Sequence, residues 1–251
     1  MTYCLGILSR EGIVGLADTR ITSGSDTTTS KKIYTVERSK HSYFIMTSGL
    51  RSVRDKAITY FSEVIESQDN EFDKLYKAVN SFGDMVKRVA NEDKKNLEES
   101  GVNFNLYAIV GGQLEHDDEP KLYLLYPQGN WIEIGPGTPF VIIGNSGFGS
   151  PILKRSITFE SNLEFCLKSG FLSFDATRIS ANDVDYPIDT VVLRKDEFKM
   201  REHRFTEKDL GHIADFWNTS LKEAINHMPA EALDKAFKPT EKNRMMIKDA
   251  S

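Results

Sequence analysis

Two short apolar runs near the beginning of the chain constrain its fold more than any other feature. Residues 3–8 and 13–17 contain no charged side chain, and Arg10-Glu11-Gly12 between them supplies turn residues. Two such runs joined by a glycine-containing turn predict a β-hairpin. Because the apolar residues are continuous and do not alternate with polar ones, we expect both faces of these strands to be covered.

The remainder of the chain falls into blocks with different apolar periods. Residues 50–65 and 72–97 repeat apolar side chains at helical spacing, which predicts two amphipathic helices. The other expected elements are strands at 32–36, 42–47, 104–110, 121–126, 130–134, 140–143, 188–193 and 198–202, and helices at 151–157, 163–171 and 207–227. This block order, unlike strict βαβ alternation, predicts an α+β fold with helices outside two sheets: a four-layer α-β-β-α sandwich.

The length of 251 residues fits one large domain with its own core. Neither an internal repeat nor a linker interrupts the periodic segments. We therefore expect a single domain over residues 1–230. The polar tail at 231–251 is expected to be disordered or to lie at an interface.

Charge and cysteine content restrict the partners and the compartment. The net charge is −5 and no block of basic residues stands out, so nucleic acid is not an expected partner. Two cysteines, Cys4 and Cys166, are too few for a disulfide scaffold and are typical of a reducing compartment. The chain has no signal-peptide pattern and no apolar stretch of roughly 18 residues. We expect a cytoplasmic protein with no membrane partner.

Thr2 is the first candidate for chemistry, because it follows the initiator methionine directly. Once Met1 is removed, one residue would carry both a hydroxyl nucleophile and an α-amine. That amine has a pKa of about 7.7–8 and can accept the hydroxyl proton, directly or through water. An ordinary start residue is the alternative, and the second position alone does not decide between the two.

Two charged residues strengthen the case for Thr2. Asp18 ends the second strand of the expected hairpin, which would bring it back beside Thr2. Lys32 enters the next strand. A lysine ammonium near the nucleophile lowers the proton affinity of its hydroxyl and amine, and an Asp–Lys pair keeps the lysine charged. Arg20 and Thr22 are expected to line the following turn.

Several segments together resemble a known family. They are residues 2–6, 15–20, 31–33, 46–49, 143–152, 173–175 and 186–189. In this order and spacing the chain resembles proteasome β-type subunits, and more closely Anbu, the bacterial proteasome-related peptidase family. The resemblance covers most of the chain and implies the sandwich of N-terminal-nucleophile hydrolases. It also implies a homo-oligomer, either a ring or an open helical stack, and no metal or organic cofactor.

The resemblance assigns roles to individual positions. It implies Thr2 as nucleophile, its amine as general base, and Asp18 and Lys32 as the activating pair, with Lys31 as the fallback for Lys32. Gly49 matches the glycine whose backbone N–H binds the oxyanion and an extended substrate. The remaining implied positions are Thr47 near the first specificity pocket, and Arg20, Thr22 and Ser23 along the substrate channel.

The sequence departs from the broad proteasome pattern at two positions. Many β-type subunits have a serine after the glycine that matches Gly144, whereas this chain has Asn145. Where they carry an Asp-x-x-Ser-Gly element, Asp183 falls at the serine position and Ser180 is an alternative. Asn145 and Asp183 can both hydrogen-bond the N-terminal amine. A carboxylate there would raise the pKa of the amine and weaken it as a base.

These observations predict a threonine hydrolase that cleaves peptide or amide bonds through an acyl-enzyme on Thr2. Two alternatives stay open. One is an amidase or acyl-transferase that acts on a small peptide-like metabolite with the same nucleophile. The other is a self-assembling scaffold with little or no peptidase activity.

Overall fold

Twelve strands and six helices make up the part of the chain that the computed structural model describes, which is residues 2–23, 26–68, 72–231 and 233–237. Only the backbone is described at residues 22, 23, 26, 27, 68 and 234. The predicted tail at 238–251 lies outside the described residues.

The strands form two five-stranded antiparallel sheets and a separate hairpin. The first sheet has the order β10-β1-β2-β11-β12 and the second has the order β5-β6-β7-β8-β9. The first sheet comprises β1 (Tyr3–Ser9), β2 (Gly12–Asp18), β10 (Phe140–Gly144), β11 (Ile188–Arg194) and β12 (Met200–Phe205). The second comprises β5 (Ile33–Arg38), β6 (His41–Gly49), β7 (Leu106–Leu114), β8 (Lys121–Leu125) and β9 (Trp131–Glu133). The hairpin pairs β3 (Arg20–Ser23) with β4 (Asp26–Thr29).

Six helices accompany the strands in the described residues. They are α1 (Arg51–Gln68), α2 (Leu75–Glu99), α3 (Ser150–Ser156), α4 (Leu163–Arg178), α5 (Glu207–Asn226) and α6 (Asp234–Phe237). One apolar cluster joins α1 and α2 to the second sheet, and includes Phe61 and Phe82 with Tyr43 of β6. On the opposite side α4 packs on β1 and β2, where the Tyr3 and Phe174 rings meet edge to face at 6.1 Å.

A second apolar cluster lies between the sheets. It brings Cys4 and Ile13 of the first sheet against Phe44 and Met46 of the second. Every residue of β1 and β2 is buried, as their continuous apolar sequence predicts. The fold is therefore the expected α+β four-layer α-β-β-α sandwich.

The described chain divides into two compact units. One unit ends at Gly211, and the other begins at His212. The single domain predicted over 1–230 stays a prediction.

Candidate active site

The hydroxyl of Thr2 lies between a buried carboxylate and a buried ammonium. Thr2 Oγ1 donates a hydrogen bond to Asp18 Oδ1 at 2.5 Å and accepts one from Lys32 Nζ at 2.5 Å. Lys32 Nζ also lies 2.7 Å from Asp18 Oδ1. The three residues predicted from the sequence therefore form one closed hydrogen-bonded cluster.

The β1–β2 hairpin brings Asp18 to Thr2. The register pairs Cys4 with Ala17, so the end of β2 returns to the start of β1. The N–H of Tyr3 donates to Asp18 Oδ1 at 2.8 Å. The side chain of Tyr3 is fully buried and its hydroxyl donates to Ser173 Oγ at 2.7 Å, which fixes the beginning of β1 against α4.

Lys32 is held from the other side by the backbone. Its Nζ donates to the carbonyl of Arg20 at 2.7 Å, where β3 begins. With Thr2 and Asp18 as its other acceptors, all three ammonium donors are used. Lys31, the fallback, is half-exposed and pairs instead with Glu202 at 2.5 Å.

Burial dominates the electrostatics of Asp18, which is fully buried. Desolvation raises the pKa of this carboxyl above its ordinary value, and the Lys32 ammonium opposes that shift. Oδ1 accepts three hydrogen bonds, whereas the buried Oδ2 has no partner among the described residues. The negative charge therefore depends on Lys32 for its compensation.

Cys4 lies close to this cluster, but burial of its thiol disfavours the reactive thiolate. Burial raises the pKa of its thiol to about 12, although the Lys32 ammonium acts in the opposite direction. The thiol donates a weak hydrogen bond to the Thr47 carbonyl at 3.7 Å. A buried thiol with so high a pKa is a packing group and not a second nucleophile.

The loop after β10 contacts Thr2 through its backbone. Gly144 has φ +87°, and a Cβ there would come within 1.9 Å of the Thr2 carbonyl oxygen, so a side chain cannot fit. The N–H of Asn145 donates to this oxygen at 2.8 Å. Asn145 Nδ2 in turn donates to Asp183 Oδ1 at 3.0 Å. Asn145 thus links Asp183 to Thr2.

Asp183 and Ser180 differ in their surroundings. Partial burial opposes ionisation of Asp183, but the positive charge of the N-terminus, and to a smaller extent the hydrogen bond from Asn145, hold the pKa of this carboxyl below its usual range. Ser180 is exposed, and its hydroxyl donates to the Ala176 carbonyl at 2.9 Å in the preceding turn. Of the two candidates for the serine position, Asp183 is the one that is linked to Thr2, through Asn145.

A cleft of about 610 Å³ opens beside Thr2. It is lined by the predicted substrate-binding residues Gly49, Thr47 and Arg20 together with Lys32. Gly49 has φ +141°, and a Cβ there would come within 2.1 Å of the Asn105 carbonyl oxygen. The guanidinium of Arg20 is anchored by Asp185 at 3.0 Å. The side chains of Thr22 and Ser23, also predicted to line the channel, lie outside the described residues.

Arg51 and Arg54 also line this cleft, and they were not predicted from the sequence. Both lie at the beginning of α1, immediately after Gly49. Positive charge is unfavourable near a helix N-terminus, where the helix dipole is itself positive. Two arginines in this position, with no acidic residue in the first turn, are a signal by which the sequence could have revealed them.

The described part of the chain offers neither a metal-binding cluster nor a membrane-spanning helix. It contains no group of three or more histidine, cysteine, aspartate or glutamate side chains arranged to hold a metal ion. Among its helices, none combines the length and the apolar character needed to cross a bilayer. The cytoplasmic location predicted from the sequence stays a prediction.

Fold and sequence comparisons agree on the class of protein. The four-layer sandwich is that of the proteasome-like N-terminal-nucleophile hydrolases. A sequence profile described as "Proteasome subunit" matches residues 2–170, which is more than half of the chain. The chain belongs to the proteasome subunit family.

Solved structures of Anbu are similar over nearly the whole chain. An Anbu (Gly-1) mutant from Hyphomicrobium sp. strain MC1 is 27% identical with a TM-score of 0.85, over 91% of this chain and 98% of that chain. Anbu from Pseudomonas aeruginosa, solved as a helical assembly, is 27% identical with a TM-score of 0.85, over 95% and 98%. Anbu from Yersinia bercovieri, 23% identical with a TM-score of 0.84 over 90% and 97%, shows the fold alone. A comparison with curated proteins gives no match.

Proposed function

We propose that this chain is an N-terminal threonine hydrolase that cleaves peptide or amide bonds once Met1 has been removed. The observation that carries the proposal is the position of Thr2 Oγ1, 2.5 Å from both Asp18 Oδ1 and Lys32 Nζ. A buried ammonium at that distance stabilises an alkoxide on Thr2 far better than water does. The sequence and the fold support the same nucleophile independently.

Acylation follows from this arrangement in balanced steps. The free α-amine of Thr2 takes the hydroxyl proton, directly or through a water molecule. The oxygen then attacks the substrate carbonyl carbon, and the carbon–oxygen double bond becomes an oxyanion. When the carbon–nitrogen bond breaks, the protonated amine returns its proton to the leaving nitrogen. The product of this half-reaction is an ester on Thr2.

Deacylation uses the same groups in reverse. The freed amine accepts a proton from water, and the resulting hydroxide attacks the ester carbonyl carbon. The Thr2 oxygen leaves and recovers its proton from the amine, while the acid product departs. Lys32 keeps its proton throughout and stabilises negative charge on the Thr2 oxygen in both halves.

Gly49 and Thr47 supply the proposed substrate contacts. The backbone N–H of Gly49 is the proposed donor to the oxyanion, and the end of β6 is the proposed edge for an extended substrate. Both residues line the cleft beside Thr2. Arg20 lines the same cleft and receives the proposed channel role.

Asn145 and Asp183 receive a proposed supporting role. Asn145 holds the Thr2 carbonyl and reaches Asp183, so the pair is positioned to orient the free amine. The ionised Asp183 raises the proton affinity of that amine. We therefore expect slower turnover at neutral pH than in an enzyme with a neutral group at this position.

The test compares two forms of the chain that differ by one residue. A cleavable N-terminal fusion is removed to leave either Thr2 or Met1 at the N-terminus. Hydrolysis of a fluorogenic peptide library is then measured for both forms. We expect turnover only from the form that begins with Thr2, and its loss in Thr2→Ala. Equal turnover from both forms would exclude the N-terminal amine as base.

We further propose that the chain assembles with copies of itself. The solved Anbu structure from Pseudomonas aeruginosa is a helical assembly. In this chain Phe216, Ile225, Met228 and Phe237 are 56–85% exposed, and large exposed apolar residues such as Phe and Met are enriched at interfaces.

Sedimentation velocity tests the assembly separately from the chemistry. Phe216→Ser combined with Ile225→Ser is expected to reduce the particle mass, whereas Ile132→Ser on β9 serves as the matched exposed control. Thr2→Ala is expected to assemble normally and lose turnover. If Thr2→Ala has no effect on any activity while assembly persists, the scaffold function is the better account.

A further inference from the structure

We propose that Arg54 selects substrates with a carboxylate side chain on the acyl side of the scissile bond. This rests on the proposed function, because the acyl side is defined by attack from Thr2. The substrate class is then peptides with glutamate immediately before the cleaved bond.

The cleft beside Thr2 is lined by positively charged side chains. Its lining includes Arg20, Lys32, Arg51 and Arg54 and contains no aspartate or glutamate. Arg20 is compensated by Asp185 and Lys32 by Asp18. Arg51 and Arg54 share one carboxylate, that of Asp55, so this end of the cleft retains a positive charge.

A smaller cavity of about 290 Å³ continues from the cleft. The two share Lys32, Thr47 and Arg54 as lining residues, so a side chain that enters beside Thr2 passes Thr47 and meets Arg54. The smaller cavity also has apolar lining from Ile33, Ile45 and Ile58, and the one carboxylate in its lining, Asp55, is paired with Arg54. An apolar wall with a cation at the opening suits the methylene stem and the carboxylate of glutamate.

Arg54 keeps a donor available for such a carboxylate. Its Nε and Nη2 both donate to Asp55 Oδ1, at 2.8 and 2.6 Å. Among the described residues Nη1 has no hydrogen-bond acceptor, and Arg54 is held in place with 19% of its side chain exposed. The hydroxyl of Thr47, which lines the same passage, is also buried without a partner among those residues.

Arg51 and Arg54 lie at the end of α1 where the helix dipole disfavours positive charge. Arg51 begins α1 and Arg54 lies one turn later, where the positive end of the helix dipole repels a cation. The helix dipole therefore does not account for them, and the carboxylate that they share within α1 is that of Asp55. A bound anion would relieve both the dipole and the two guanidinium groups.

The first experiment measures kcat/KM on the form that begins with Thr2. The substrates are two acetylated tripeptide coumarin amides that differ only in glutamate or its neutral isostere glutamine before the coumarin. We expect a preference for glutamate of about tenfold, the scale of one charge-assisted hydrogen bond. Arg54→Gln is expected to abolish the preference. Arg10→Gln, which removes an exposed arginine at the far end of β1, is expected to retain it.

The second experiment does not depend on catalysis. Binding of the corresponding free acetyl-tripeptides, which end in glutamate or glutamine, is measured calorimetrically on Thr2→Ala with and without Arg54→Gln. Tighter binding of the glutamate peptide that is lost with Arg54→Gln supports the proposal even if no chain turns over. Equal binding of the two peptides, no binding of either, or a preference that survives Arg54→Gln would overturn it.

Discussion

Lys32 and Asp18 form an ion pair of 2.7 Å in which the Asp18 side chain is 0% and the Lys32 side chain 7% exposed. Both side chains are removed from water, unlike those of a surface salt bridge. Removal of one partner would therefore leave an uncompensated buried charge. Both charges also contact Thr2 Oγ1, which lies 2.5 Å from each. The pair therefore couples the stability of the fold to the reactivity of the candidate nucleophile.

Lys32→Ala is expected to slow acylation of Thr2 by at least about 100-fold, because the alkoxide loses its only cationic contact among the described groups. Lys31→Ala is the matched control, since the neighbouring lysine is exposed and pairs with Glu202. Stopped-flow measurement of covalent labelling checks both. Equal labelling rates for Lys32→Ala and the wild-type chain would remove Lys32 from the mechanism.

Asp183→Asn is expected to move the acid limb of kcat/KM to lower pH by about half to one unit. The lowered pKa of Asp183 means that it is ionised at neutral pH, and its negative charge favours the protonated amine. Asparagine removes that charge, so the amine becomes a neutral base at a lower pH. Asp84→Asn on the exposed face of α2 is expected to leave the pH profile unchanged. A shift to higher pH would contradict the assigned role.

Gly49→Ala is expected to lower the free energy of unfolding by about 1–3 kcal/mol and to abolish turnover. Its φ of +141° is a conformation that side chains rarely adopt, and the added Cβ would meet the Asn105 carbonyl oxygen at 2.1 Å. Gly135→Ala, where a Cβ has open space, is the control. Denaturant titration followed by fluorescence measures both. An unchanged midpoint for Gly49→Ala would show that the end of β6 is less constrained than described.

Neither cysteine is expected to react with a thiol reagent in the native protein at pH 8. Burial raises the pKa of Cys4 to about 12 and that of Cys166 to about 11, and a raised pKa leaves less thiolate at any given pH. At pH 8 the Cys4 thiolate is then on the order of one part in 10⁴. A colorimetric thiol assay should detect no fast reaction before denaturation and two thiols after it. Rapid native labelling of Cys4 would mean that the cluster around Thr2 opens to solvent.

Much of the fold follows from the apolar pattern alone. The β1–β2 hairpin was predicted because its strands are continuously apolar, and they are buried on both faces. The β3–β4 hairpin was missed, because its second strand, Asp26–Thr29, is wholly polar and shows no period. The helix α4 was predicted to end near Phe171 but continues to Arg178. Its later turns bury Ser173, Asp175 and Thr177, and buried polar residues hide a hydrophobic period.

The residues of the candidate site were also predicted only in part. Thr2 and Asp18 were found because they flank the two strands of one hairpin, so their convergence follows from hairpin geometry. Lys32 precedes β5 of the second sheet, and its place beside Thr2 was expected from the family resemblance. Arg54 was missed, because its approach to Thr47 depends on how α1 packs across the second sheet. That packing is set by contacts distant in sequence, which local patterns do not contain.

Intact mass spectrometry of the natively produced chain, before and after treatment with a peptide epoxyketone, tests whether Thr2 becomes an N-terminal nucleophile. This electrophile requires a hydroxyl and a free amine on the same residue, so it reports an N-terminal threonine. We expect loss of the mass of Met1 and one adduct per chain, absent in Thr2→Ala and present in the control Thr158→Ala. A retained Met1 without an adduct would contradict the proposed mechanism for this chain.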